Sequence, residues 1–370
     1  MLESYLKDLA ELVNRDCGTA NCAGVTSAAE VMKRHFDSIG FHTELVDLGE
    51  GAGRGLFATN KPGAEKYDVL LNAHLDTVFP DGTAAARPMS REGDHVKGPG
   101  CSDCKSGVLA IFYAIKNARK EDLDRLAIAV CLNPDEETGS HFSHDWLVAE
   151  AKKAKRALVF EAARAGGELV RARKGRYGYK VTVKGVSAHA GNNPQDGRSA
   201  VLAACRFALE ADKLQDMEKA GTSVNVIVSE GGTVANVVPD KCVLLFDTRF
   251  WTPEEAERLD KGFTALAAAD WGDGITVTLE KTDYTPPMPY TDATKELVGQ
   301  IEEAAKAEGF SVAWVDAGGG SDGNHMAMTG IPVIDGVGPA GGGFHTDREF
   351  LRVDTIEERI RMVSRFFSLI

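Results

Sequence analysis

The sequence predicts an α/β fold, a sheet with helices on both faces, carrying a smaller inserted α+β domain. Three observations lead there. Apolar strand-like runs alternate with helical runs through the first half, the pattern of a sheet layered between helices. Near Gly178 the pattern changes to period-two alternation, as in a half-exposed antiparallel strand. Beyond the proline-rich stretch "TPPMPY" (285–290) the α/β character returns. A chain of 370 residues also exceeds one ordinary core, so two domains are expected. The first is discontinuous, over 1–177 and 286–370, and the second is inserted over 178–285.

The opening "MLESYLKDLAELVN" sets Leu2, Leu6, Leu9 and Leu12 on one helical stripe. It carries acids where a signal peptide is basic, so a cytoplasmic protein is expected. "YDVLLNAHL", "LAIAVCLNPDEE" and "ALVFEAA" begin as unbroken apolar runs, which suits strands buried on both faces. Between the first two, "GVLAIFYAIKNA" (107–118) has helical spacing and no breaker after Gly107. The insert reads as a strand at 178–189, a helix at 197–214 and strands at 222–232 and 241–250, then a helix from Pro253 and a strand at 275–284. That order makes a compact ferredoxin-like α+β module. A helix at 292–308, a strand at "SVAWV", a Gly-rich turn and the short strand "IPVIDGVG" complete the first domain.

Composition narrows the function. The formal net charge is −13, and "KKAKR" and "RARKGR" are short enough to be solvated faces. Nucleic acid and membrane are therefore not expected partners, and no apolar run approaches the ~20 residues of a membrane span. Seven scattered cysteines make an odd total, which argues against a disulfide framework. Cys101 and Cys104 form a C-x-x-C without the thioredoxin-like setting that a redox role needs.

In open α/β sheets ligands gather beyond the carboxyl ends of the strands. His74 and Asp76 sit at such an end, and Asp103 lies in a Gly-rich loop before a helix. Glu136 and Glu137 close "LAIAVCLNPDEE", Glu161 closes "ALVFE", and His345 follows "IPVIDGVG" in "GGGFHTD". Singly, each has an ordinary explanation as a cap or a solvated acid. Together, two histidines and three carboxylates form a ligand set for two divalent ions that share one carboxylate, and zinc accepts both donor types. Asp76 then orients His74, because a ligating imidazole commonly donates its other N–H to a carboxylate. Consecutive residues point apart, so of Glu136 and Glu137 one can ligate while its neighbour takes the proton of the attacking water.

"NAHLDT", "GPGCSDCKSG", "PDEETGS", "VFEAA", "GVSAHAG", "GGGSDGNHMAMTGIPVIDGVGP" and "GGGFHTD" fall in the order and spacing of a known family. Across nearly its whole length the chain resembles the dinuclear-zinc metallopeptidases, which include glutamate carboxypeptidase, acetylornithine deacetylase and succinyl-diaminopimelate desuccinylase. It looks closest to the glutamate carboxypeptidase branch.

The resemblance implies a zinc-exopeptidase-like mixed sheet with an inserted lid and dimerisation domain. It implies that His74, Asp103 and Glu161 hold one zinc, and that Asp103, Glu137 and His345 hold the other. Asp103 would bridge, Asp76 would orient His74, and Glu136 would be the general base. The Asp103–Cys104 peptide would be cis. His189 would stabilise the oxyanion in the partner subunit of a homodimer. Asn236, Arg249 and the backbone of Gly319 and Gly320 would bind the substrate's free carboxylate. For Arg249 a strand-face ion pair is an equal alternative.

The implied activity is hydrolysis of an amide bond next to a free carboxylate, on a small peptide or amino-acid conjugate. The rivals are an N-acyl-amino-acid deacylase, an aminopeptidase and a metal-binding protein without turnover. The chain also departs from the family pattern. "KTDYTPPMPY" has only Lys281 where the glutamate carboxypeptidase type has a second arginine, which puts preference for C-terminal glutamate in doubt. Cys104 reads as a packing residue. His141 and His144 replace small residues, and read as surface side chains rather than pocket walls. His35, His42, His95 and His325 read as structural.

Overall fold

The computed structural model describes residues 1–370. The chain divides into two compact units. One comprises Met1–Ala172, Tyr290–Ala317 and Ser321–Ile370, and the other Arg173–Pro289 with Gly318–Gly320. No helix is long and apolar enough to cross a membrane.

The first unit is built on a mixed sheet of six strands. From one edge they are His42–Val46, Gly55–Thr59, Ile128–Asn133, Val69–His74, Ala157–Val159 and Val333–Ile334. The last four run parallel, and Gly55–Thr59 joins them antiparallel. Val69–His74 and Ile128–Asn133 are buried at every residue, so the unbroken apolar runs in the sequence are central strands. The helix Lys105–Lys116 is apolar on all sides, and its residues from Lys105 to Ile115 are buried, as a core helix requires. A Cβ at Gly107 would come 1.9 Å from the carbonyl oxygen of Phe160, so only glycine lets this helix lie so close to the strand end that carries Glu161.

Register places the functional side chains. His74 pairs with Asn133, and Asn72 pairs with Val159. The chain after Asn133 and the residue Glu161 therefore emerge level with His74 at one edge of the sheet. A second, five-stranded sheet contains Gly338–Gly342 and Phe350–Arg352, the strands flanking the loop of His345.

The second unit is a four-stranded antiparallel sheet in the order Ser223–Gly231, Lys241–Phe250, Gly175–Lys184, Thr276–Thr285. Its helices Ala200–Asp212 and Pro253–Ala268 share a core with the sheet, formed by Tyr179, Val181, Phe207, Phe246, Leu259 and Phe263. Thr252 caps the second helix by accepting from the Glu255 N–H, with Pro253 in the first turn. The strand Ser223–Gly231 is an outer edge, and Ile227 and Val228 on it are more than half exposed, as are Leu202 and Leu209 on the first helix.

Candidate metal centre

The strand-end residues of the first unit converge. His74 Nε2 lies 3.2 Å from one carboxylate oxygen of Asp103 and 3.6 Å from Glu161 Oε1. His345 Nε2 lies 3.2 Å from the other oxygen of Asp103 and 3.1 Å from Glu137 Oε2. Asp103 thus faces one histidine with each oxygen. Ligands ~2.0–2.1 Å from a tetrahedral ion lie about 3.3 Å apart, so both groups have the separation of donors around a shared cation. Glu161 Oε1 is buried without a hydrogen-bond partner, which a cation would resolve. The acids Asp76, Asp103, Glu136, Glu137 and Glu161 surround only two imidazoles, a surplus of negative charge that two divalent ions would largely offset. The residues present fit a dinuclear site. The Asp103–Cys104 peptide is cis.

Protonation follows the same charges. Hydrogen bonds to Asp103 and then Glu137 push the His345 imidazole up to about 10. For His74 burial opposes the charged form, but Cys104, Glu161, Asp103 and Asp76 together hold its pKa well above the usual imidazole range. Burial pushes the Glu161 carboxyl up to about 7. Burial and then the charge of Glu161 push Glu136 well above the usual carboxylate range.

Asp76 does more than face His74. His74 Nδ1 lies 3.0 Å from the Asp76 carbonyl oxygen and 3.3 Å from its carboxylate. The same carboxylate accepts from the backbone N–H of Glu136 at 3.1 Å, from that of Glu137 at 3.2 Å, and from the Thr19 hydroxyl at 2.6 Å. It is fully buried. Around the next turn Asp135 accepts from Phe142 N–H and the Ser143 hydroxyl. Asp322 accepts from the Ser140 hydroxyl and the Asn133 amide. These acids lock the loop that presents Glu136 and Glu137. Thr19, Asp135 and Asp322 have no local signal beyond being polar, and each acts through contacts that only the fold brings together.

Cys104 is buried, and its Sγ lies 3.2 Å from the His74 backbone nitrogen and 3.4 Å from the His74 oxygen. Burial pushes its thiol up, so it packs as an inert group. His141 is exposed, while His144 stacks edge-on against His325 with centroids 4.8 Å apart. Burial and then His144 lower His325 to about 4. His35 packs on Phe112 and His95 on Phe350.

The remaining candidates belong to the second unit and do not gather at one point. His189 is exposed, and its Nδ1 accepts from the N–H groups of Gly191 and Asn192, leaving Nε2 as the proton-bearing nitrogen of a neutral ring. The Asn236 carbonyl accepts from Ala190 N–H, so its loop lies beside that of His189. Arg249 is at the far end of the sheet: Lys184, just before the His189 loop, pairs with Lys241, whereas Arg249 pairs with Arg176. From Lys241 to Arg249 the strand covers about 27 Å at ~3.4 Å per residue. Arg249 makes a two-point ion pair with Asp247, at 2.7 and 3.1 Å. Its Nη1 is 3.5 Å from the Gly318 oxygen, and Arg173 donates to the Gly319 and Gly320 oxygens at 3.0 and 3.4 Å. Lys281 pairs with Asp260 at 2.6 Å.

A mixed α/β sheet whose strand ends gather histidines and acids is the framework of a metal-dependent hydrolase. Residues 70–368 match the model of Peptidase family M20/M25/M40, and the chain belongs to this family of hydrolytic enzymes. It is 30% identical to Carboxypeptidase G2 of a Pseudomonas species over 98% of this chain and 88% of that one. It is 27% identical to succinyl-diaminopimelate desuccinylase of Variovorax paradoxus, covering 94% of this chain and 93% of the relative. Among solved structures, aminopeptidase PepT of Bacillus cereus superposes with a TM-score of 0.78 at 24% identity, over 99% of this chain and 98% of that one.

Proposed function

We propose that this metallopeptidase is a zinc-dependent exopeptidase that cleaves an amide bond next to a free carboxylate, in the manner of a carboxypeptidase acting on small peptides or amino-acid conjugates. The observation that carries the reading is Asp103, whose two oxygens each face a different histidine while Glu161 and Glu137 complete the two groups. His74, Asp103 and Glu161 would hold one ion, and Asp103, Glu137 and His345 the other. When bound, two such ions supply Lewis acidity to the carbonyl and to the attacking water. Glu136 takes the proton of that water and returns it to the leaving amine. Asp76 keeps His74 in the tautomer that presents Nε2, and fixes the backbone from which Glu136 projects.

The likeness to Carboxypeptidase G2 supports a substrate with a free carboxylate, for which Asn236, Arg249 and the backbone of Gly319 and Gly320 are the proposed contacts. Arg249 would exchange part of its pairing with Asp247 for the substrate. An N-acyl-amino-acid deacylase is the second reading. It is favoured by Lys281, the only cation where a second arginine would be, because Lys281 is committed to Asp260. We also infer a homodimer. The exposed edge Ser223–Gly231 and the exposed Leu202 and Leu209 offer an unpaired strand and an apolar face on one unit. His189 and Arg249 lie too far apart on their sheet to serve one small substrate, so His189 would serve the partner's site and stabilise the oxyanion there.

The test is hydrolysis of a panel by zinc-loaded protein, with chelated protein as the blank. The panel holds C-terminal glutamate conjugates, plain dipeptides, and N-acetyl and N-succinyl amino acids. Chelator-sensitive cleavage of the conjugates or dipeptides supports the carboxypeptidase reading. Cleavage confined to the N-acyl amino acids replaces it with the deacylase.

A further inference from the structure

The loop that presents Asp103 is held by a residue outside the ligand set. Glu349 is 1% exposed and four positions beyond His345. Its Oε2 accepts from Gly100 N–H at 2.9 Å, and its Oε1 accepts from Ser102 N–H at 2.9 Å and Asp103 N–H at 3.0 Å. Three nearby N–H groups converging on one anion form a backbone nest, and here the anion is a side chain of the protein itself. Gly100 has φ of 71°, the left-handed region that such a nest uses, and a Cβ there would meet Thr77 at 2.6 Å. The buried Lys105 ammonium, donating to the carbonyls of Arg15 and Pro99, adds a positive charge on the same side.

The far side of the clamp is equally fixed. His345 has φ of 62° and Gly343 φ of 68°, a tight turn in which the Thr346 hydroxyl donates to Gly343 O and accepts from Arg348 N–H. A Cβ at Gly341 would fall 1.9 Å from Ser102 Oγ, so the strand before this turn lies directly on the Asp103 loop. The turn carries His345 at its tip and Glu349 at its end.

We propose that Glu349 is a positioning residue for the dinuclear site, joining the loop of Asp103 and the turn of His345 into one rigid body so that both keep their places relative to each other. The proposal rests on the dinuclear reading given above. Both oxygens of Glu349 are taken up by backbone N–H groups, so it stands outside the proposed ligand set. It sets the distance between two donors that must share an ion.

The test compares wild type with Glu349→Gln and Glu349→Ala, measuring divalent-ion affinity by chelator competition and the visible spectrum of the cobalt(II)-substituted protein. In Glu349→Gln the amide oxygen can keep the Ser102 and Asp103 N–H groups, but the amide NH2 faces the Gly100 N–H, donor against donor. Affinity for at least one ion should fall about tenfold, the scale for residues that orient ligands, and the cobalt bands should shift. Glu349→Ala, which leaves three buried N–H groups unpaired, should lose more.

Asp122→Asn, a buried acid paired with Arg119 and Arg125 away from the site, is the control for a merely structural loss. It should lower Tm while both ions and the cobalt spectrum stay unchanged. If Glu349→Gln behaves like that control, the proposal is overturned. If wild type itself binds fewer than two ions, the dinuclear reading falls and the proposal falls with it.

Discussion

The two units hold their candidate residues in opposite ways. In the first, His74, Asp76 and Asp103 are buried or nearly so, and the Asp76 carboxylate and the backbone of the Asp103 loop are held by hydrogen bonds before any substrate arrives. In the second, His189 and Asn236 stand on exposed loops, and Arg249 is already paired with its own strand neighbour. Chemistry needs donors fixed to a fraction of an ångström, whereas recognition is completed only when the substrate or a second subunit is present. His345 lies between these extremes. Its side chain is 55% exposed against 1% for His74, so one of the two candidate histidines is reachable from solvent while the other is sealed in.

The comparison can be broken most forcefully at Glu136. Glu136→Gln should lower kcat by about three orders of magnitude while metal analysis still finds two ions per chain; loss of metal would move Glu136 into the ligand set. His189→Ala should cost about two orders in kcat, with metal content unchanged. Mixing it with a Glu136→Gln chain should restore part of the activity, because in a mixed dimer one site regains both groups. No recovery would confine His189 to its own subunit or to the fold. Asp76→Asn should weaken metal binding by about ten- to a hundredfold and lower kcat as well, a joint effect that an orienting role toward His74 alone would not produce.

Acidity offers a gentler test. The metal-free chain holds His345 up to about 10, through Asp103 and then Glu137, against about 6.5 in an unfolded chain. Its proton therefore stabilises the metal-free fold fully below about pH 6.5, and that contribution is lost as pH rises toward about 10. Chelated protein should lose Tm across this window more steeply than loaded protein. Metal affinity should rise with pH over the same range, because binding releases the proton. Calorimetry in buffers of different ionisation enthalpy would count the protons, and a count of zero would sink this account.

Much of the first unit was legible in the sequence because its signals are local. "VLLNAH" is apolar up to the strand end, and His74 breaks that pattern in plain view; Glu136, Glu137 and Glu161 do the same. The central helix declared itself through helical spacing with no breaker after Gly107. What supports these groups was not legible. Thr19 meets Asp76 across 57 positions, and Glu349 meets Asp103 across 246, so nothing near either residue hints at the contact. The antiparallel pair His42–Val46 and Gly55–Thr59 was also hidden, because the first is a sheet edge with no residue fully buried and the second is a run of only five residues beginning at a glycine. In the second unit the alternating strands were readable from period two, but the pairing of Arg249 with Asp247 was only one of two open alternatives. A charged pair two apart on a strand looks the same whether it waits for a ligand or not.

Asp76 has a bearing on how this activity can be lost in descent. One carboxylate steadies both the His74 imidazole and the peptide from which Glu136 projects, so on the proposed roles of ligand and base a change there would harm both at once. A relative that has given up hydrolysis but kept its ions would be expected to retain the aspartate and the histidine and to differ at the first glutamate of the "EE" pair. Among sequences of this family, that combination would mark a binding protein descended from an enzyme, and it can be read from two short stretches of chain.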